Sequence, residues 1–215
     1  MKGFAPLALL LAALLVASPA AAGSWTGCYI GAHGGYAVAA HDVSVPGLFG
    51  LDGISSEGAQ GGPVVGCDLQ ADRFVIGAFA DYAFRSVETN VSLFGSSASV
   101  GLEDAWSAGV RAGYLVQPTT LVYGLIAYQH TDVDDLGSGL LSDLDGVAGG
   151  GGIETQIGGG WSLRGEYRYV AYDTANIGGL VDIDTTEHTA RAALVWKLGE
   201  GDASAAALIG KAPLK

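Results

Sequence analysis

The stretch WSLRGEYRYV, residues 161–170, sets Arg164, Glu166 and Arg168 at every second position. Alternating guanidinium and carboxylate groups on one side of an extended chain can pair with one another, since an arginine fork matches a carboxylate. They can equally line a passage that favours anions. Asp81, Arg85, Arg111, Glu154 and Arg191 stand in comparable alternating surroundings. Together the eight residues form an expected network of five arginines facing three carboxylates. A second chemistry to weigh is hydrolytic. His41 and His130 have Ser44 and Ser142 near them in sequence, but nothing in the spacing fixes a nucleophile, a base and an orienting group. No catalytic residue is therefore assigned. The run TDVDDLGSGLLSDLD resembles a calcium-binding spacing, yet it lacks the glycine and terminal glutamate of an EF-hand. It reads as a solvated acidic loop, with divalent ions bridging it to lipopolysaccharide as the sharper alternative. The glycine run GGGGIE is followed by no helical pattern, so it is no nucleotide loop. There is no CxxC and no zinc-type Cys/His spacing. No cofactor and no metal are expected.

These charges need elements to hold them. The chain opens with Lys2, an apolar run from Leu7 to Val16, and Ala20-Ala21-Ala22, the layout of a secretory signal peptide cleaved before Gly23. No later run reaches the roughly 18–20 apolar residues of a membrane helix. Yet mean hydropathy is positive, and only 15% of the residues are charged, where soluble domains have about a quarter. A net charge of −12 argues against nucleic acid as a partner.

Beyond the leader the hydrophobic period is two, not 3.6. Eight strands are expected, at residues 26–40, 60–70, 74–87, 106–116, 120–131, 146–156, 161–172 and 187–198. Tight turns at Ala71-Asp72, Gln117-Pro118 and Gly158-Gly159-Gly160 alternate with long loops after the first, third, fifth and seventh strands. An even number of strands with short turns at one end and long loops at the other is the outer-membrane barrel pattern. In strand three Phe74, Ile76, Ala78, Ala80, Tyr82 and Phe84 share one face, while Val75, Gly77, Phe79, Asp81 and Arg85 share the other. Strand four sets Trp106, Ala108, Val110, Ala112 and Tyr114 against Ser107, Gly109, Arg111 and Gly113. Strand eight sets Ala190, Ala192, Leu194, Trp196 and Leu198 against Thr189, Arg191 and Lys197. Strand five is ambiguous, because Tyr123 and Tyr128 fall on opposite faces. Lipid demands a closed β-structure, so the apolar faces are expected outside and the charged faces inside. A soluble ligand-binding barrel would invert this. Trp25, Phe74, Trp106, Trp161 and Trp196 at the strand ends read as an interfacial girdle.

WTGCYIGAHGGY, VRAGYLVQPTTLVYGLIAY, WSLRGEYRYV and EHTARAALVWKL, which span most of residues 25–198, together resemble the small alphaproteobacterial outer-membrane barrels, the opacity-porin-like major surface proteins. The resemblance implies an eight-stranded transmembrane barrel with exposed loops and structural, adhesive or porin-like roles, and no enzyme. Leu198 stands where that family ends in an aromatic, and GEGDASAAALIGKAPLK follows as a periplasmic tail of residues 199–215, expected to be disordered. Cys28 and Cys67 both replace aromatics of the family. Antiparallel pairing of the first two strands brings them side by side within disulfide reach, and an exported chain meets an oxidising compartment. The alternative is two separate small residues facing lipid.

The expected function is that of a structural outer-membrane barrel, serving envelope integrity and surface interaction or adhesion through acidic loops. The alternatives are a small porin with a narrow arginine-lined lumen and, behind it, a lipid A-modifying enzyme. The expected partners are outer-membrane lipid, lipopolysaccharide, the barrel-assembly machinery and a host surface. PGLFGL at 46–51 and VSLFG at 91–95 are the candidate contact tips.

Overall fold

The structure, a computed structural model, describes residues 24–45, 49–93, 96–134, 143–177 and 181–198; among these, the side chains of 41–45, 49–55, 86–93, 96–103, 133–134, 175–177 and 181–183 are not described. The leader and the tail of the sequence reading lie outside the described residues, as do Ser142 and the side chains of His41 and Ser44. Of the two apolar tips, residues 46–48 and 94–95 are not described, and of the others the backbone alone is.

All described strands belong to one antiparallel sheet. In chain order they are β1 (Gly27–Val45), β2 (Phe49–Ala71), β3 (Phe74–Leu93), β4 (Ser96–Gln117), β5 (Thr120–Asp134), β6 (Leu144–Gly158), β7 (Trp161–Tyr172), β8 (Ala175–Ile177) and β9 (Val181–Lys197). β8 is a three-residue ribbon paired only with β9. β9 also pairs with β1, from Tyr29↔Lys197 to Ser44↔Asp182, and this seam closes the sheet into a barrel of eight staves, β1–β7 and β9. Closure leaves no barrel strand with an unpaired edge, which hydrocarbon surroundings require.

The alternation runs as the period-two reading expects. Val75, Phe79, Asp81 and Ala83 of β3 are buried, while Phe74, Ile76 and Phe84 are exposed. β5 is resolved too: Leu121, Tyr123, Leu125, Ala127 and Gln129 point inward, and Val122, Ile126 and Tyr128 point outward. Two of the three tight connections sit one residue later than the first turns suggested, at Asp72-Arg73 and Pro118-Thr119, and the third, Gly159-Gly160, falls within the expected Gly158-Gly159-Gly160. Asp72 has φ 52°, and Gly159 and Gly160 have φ 63° and 79°. Asp tolerates the left-handed region better than most residues, and glycine enters it freely; paired positive φ values suit a two-residue hairpin.

The long loops after strands one and three differ from expectation. Most of each is strand, because β1 and β2 stay paired up to Val45↔Phe49 and β3 and β4 up to Leu93↔Ser96. Gly and Ser in these segments pointed to loops, but an antiparallel partner already in register continues the ladder at little extra entropic cost. The two hairpins rise beyond the roughly 9–11 residues that a tilted strand needs to cross the bilayer.

Candidate functional site

The lumen is filled by three layers of side chains, each electrically neutral. Nearest the tight-turn end, Arg111 donates two bonds to Asp68, Nε to Oδ1 at 3.0 Å and Nη2 to Oδ2 at 2.5 Å. Its Nη1 reaches Glu154 Oε2 at 2.7 Å. Arg164 Nε donates to the same Glu154 oxygen at 2.9 Å. The rings of Tyr29 and Tyr123 flank both guanidinium groups, with centroids 4.9–5.9 Å from the guanidinium carbons. A cation over an aromatic face gains quadrupole attraction most strongly where water is excluded.

In the middle layer Glu166 Oε1 accepts Nε of Arg168 and Nε of Arg191, each at 2.7 Å. Its Oε2 accepts the Tyr123 hydroxyl at 2.6 Å. Asp81 accepts Arg168 Nη2 at 2.9 Å and both terminal nitrogens of Arg191 at 3.0 Å. Arg168 Nη1 also donates to Ser107 Oγ at 2.8 Å. His33 is buried beside this layer, its Nε2 3.1 Å from the Tyr82 carbonyl. The third layer is Arg85 with Glu187, joined at 2.7 and 3.1 Å. Tyr172 and Thr189 donate to the same carboxylate at 3.1 and 2.9 Å.

All eight expected charges thus meet in the lumen. Two carboxylates were missed in the sequence, Asp68 and Glu187, and with them five arginines face five carboxylates. Glu187 stands at the first position of the expected eighth strand. It is 1% exposed, because it shares the inward parity of Thr189 and Arg191 one turn of pleat further along β9. That parity was the available signal. Asp68 could have been found the same way, from Val64 and Gln60 on β2. Taking an ion out of water costs several kcal/mol unless a partner replaces the hydration, and here each charge has one. Residual space is small. The gap beside Gln60, Asp81, Arg85, Gln129 and Arg168 measures about 10 Å³, the lower limit for a single water.

Trp25 corrects another expectation. It was placed in the lipid-facing girdle, but it is 2% exposed and packs with Val75, Leu115 and Leu121 inside the tight-turn mouth. The chain turns at Gly27, φ 138°, which carries the residue before β1 over the opening. Indole must satisfy its N–H when buried, and Pro118 O accepts it at 3.1 Å while Gln70 Oε1 accepts the Trp25 backbone N–H at 2.9 Å. The other four girdle aromatics face outward or lie at the rims: Phe74 contacts Tyr114, Trp161 contacts Trp196, and Trp106 contacts Tyr128.

Cys28 and Cys67 are directly opposed across β1 and β2. The structure joins them, with Cα atoms 3.9 Å apart. Both lie on the outward face, so the bond staples the first hairpin without entering the lumen. Mass spectrometry of the mature protein under non-reducing conditions is expected to find no alkylatable thiol; two free thiols would mean the staple does not form.

The opposite end of the barrel is acidic throughout. Residues 40–55, 86–105, 132–145 and 173–186 hold thirteen carboxylates and no Lys or Arg. All of the cations are elsewhere: five arginines in the lumen, Arg73 and Lys197 at the tight-turn rim, Lys2, Lys211 and Lys215 in the terminal segments. At this acidic rim, above Trp106 and Tyr128, His130 Nδ1 bonds Asp145 Oδ1 at 2.6 Å. The Tyr128 hydroxyl donates to the same oxygen at 2.5 Å. The Asp145 contact, aided by the charges of Asp132 and Asp143, raises the His130 pKa above the ordinary histidine value. His130 Nε2 faces Asp132 Oδ1 at 3.4 Å and Asp143 Oδ2 at 4.0 Å. Among the described residues no hydroxyl is bonded to that nitrogen; Ser142 and the side chain of Ser44 lie outside them.

Comparison with known proteins gives a consistent family. The sequence pattern of the outer membrane protein beta-barrel domain matches residues 7–197. The 31 kDa outer-membrane immunogenic proteins of Brucella melitensis biotype 1 and Brucella suis biovar 1 are each 31% identical over 212 residues, which covers 84% of this chain and 87% of theirs. Among solved structures, Neisserial surface protein A aligns with TM-score 0.46 and 14% identity over 80% of this chain and 98% of that one. The attachment invasion locus protein of Yersinia pestis, solved with the heparin analogue sucrose octasulfate, aligns with TM-score 0.41 and 11% identity over 79% and 99%.

Proposed function

The chain belongs to the outer membrane protein beta-barrel domain family, and on that premise we propose that it is a structural surface protein, closed to solutes, that works through its acidic outward end. One observation carries this reading, the segregation of charge. Every lumen arginine is paired with a lumen carboxylate, so none is left to draw anions through the barrel. The outer segments contain no Lys or Arg of their own, so their carboxylates attract partners from outside. An unpaired field of one sign raises the local concentration of opposite charge and steers encounter. Suitable partners are divalent cations bridging to lipopolysaccharide and basic patches on other surfaces. The short turns and the tight-turn mouth face the periplasm, where the barrel-assembly machinery would meet the chain. The protein is not an enzyme in this reading.

Reconstitution into liposomes tests the closed lumen. Solute swelling and single-channel conductance are expected to match those of protein-free vesicles. Steady conductance selective for anions would instead favour the narrow porin. For the outward end, amide replacement of the five carboxylates in residues 132–145 is expected to leave insertion intact and weaken the binding of a polycationic probe to the barrel. Unchanged binding would remove the surface role from this rim.

A further inference from the structure

The rim around His130 is arranged as more than an acidic patch. We propose that His130, Asp132 and Asp143 form a binding site for one zinc-type divalent cation at the outward end of the β5–β6 pair. Their ligand atoms lie within 4.8 Å of one another. A tetrahedral zinc ion with bonds of about 2.0–2.1 Å holds its ligands about 3.3–3.4 Å apart, and the His130–Asp132 pair already stands at 3.4 Å. Asp143 lies at 4.0 Å on an exposed side chain and closes by rotation.

Two further observations point to a cation here. The first is orientation. A carboxylate only accepts, so the 2.6 Å contact with Asp145 places the imidazole proton on Nδ1. In the neutral ring that turns the Nε2 lone pair toward the carboxylates of Asp132 and Asp143. A carboxylate behind a histidine, fixing its tautomer while the other nitrogen binds metal, is the usual support of such sites. Asp145 is itself held by Tyr128. The second is charge. Asp132, Asp143 and Asp145 all stand within 4.0 Å of the His130 ring nitrogens, and residues 132–145 contain no Lys or Arg. The imidazole favours a borderline ion such as zinc over calcium or magnesium, which take oxygen donors. The inference depends on this rim's geometry and holds whether or not the barrel adheres to another surface.

The test uses the full mature chain refolded in detergent micelles, with zinc alone as the probe and a chelating indicator as competitor. One zinc per barrel is expected. His130→Gln, Asp132→Asn and Asp143→Asn should each weaken binding at least tenfold, and Asp145→Asn by about tenfold although all three donors remain. Asp184→Asn, an acidic rim position outside the site, should change nothing. Calcium in hundredfold excess should not displace the ion. Gel mobility in the folded and heat-unfolded states confirms that each variant has closed its barrel. No zinc bound by the wild type, equal binding by His130→Gln, or displacement by equimolar calcium would overturn the proposal. So would a loss in Asp184→Asn as large as that in Asp132→Asn.

Discussion

Glu154→Ala is expected to destabilise the barrel by about 3–5 kcal/mol, because removing one partner strands a charge where water does not reach. Glu154 is 3% exposed and takes bonds from both Arg111 and Arg164. Arg111 keeps Asp68 after the change. Arg164 loses its salt bridge and keeps two tyrosine rings and the more distant charge of Glu166, and aromatic attraction of roughly 2 kcal/mol does not replace a carboxylate in contact. The double variant Glu154→Ala, Arg164→Met removes the stranded charge and is expected to recover most of the loss, since apolar side chains of similar volume can replace buried pairs at little cost. Urea unfolding in lipid micelles, followed by the gel shift between closed and open barrel, measures both. A single variant within about 1 kcal/mol of wild type, or a double variant as weak as the single, would show that these charges are hydrated in the native state rather than enclosed.

Gly152→Val is expected to prevent closure. Gly152 lies on β6 beneath the Tyr123 ring, and a Cβ there would stand 2.6 Å from the Tyr123 hydroxyl and 2.6 Å from the Gly165 carbonyl. The first neighbour can swing aside only by giving up its bond to Glu166. The second is backbone of the adjacent strand and gives way only by spreading the ladder locally. Overpacking a dense interior usually costs about 1–3 kcal/mol; here a branched side chain adds the lost hydrogen bond, so Val should fail to refold where Ala refolds with a lower midpoint. Refolding yield by gel shift checks this. Normal refolding of the Val variant would show that Tyr123 is not fixed above this glycine.

The same residues show what could be read from the sequence. WSLRGEYRYV disclosed its two faces because the period of two is strict and the residue types on them are extreme; β7 appears at the expected Trp161–Tyr172. Barrel closure was legible for the same reason, since alternation repeated over many strands leaves few other folds; the family was legible only through the four motifs that resemble it. Asp68 was missed because it sits among small and apolar neighbours on β2, and Glu187 because it stands at the first position of the expected strand, next to the acidic segment with Asp182 and Asp184. Their partners, Arg111 and Arg85, lie 43 and 102 positions away, and only the register brings them together. Trp25 was misplaced because an aromatic at a strand end fits lipid and lumen equally well; the bend at Gly27 decides, and one dihedral angle is not written in hydropathy. The His130 cluster escaped notice for a related reason. Asp132 and Asp143 belong to different strands, and their approach is a property of the β5–β6 pairing.

The staves are not equally tall. β2 runs 23 residues and β7 only 12, and at about 3.3 Å per residue the difference is some 35 Å of strand. β9 and β1–β4 form the high side, and β5–β7 the low one. Among the described residues the outward end is therefore stepped, and His130 stands on its lower side. The strands thus give the barrel a front and a back as well as a top.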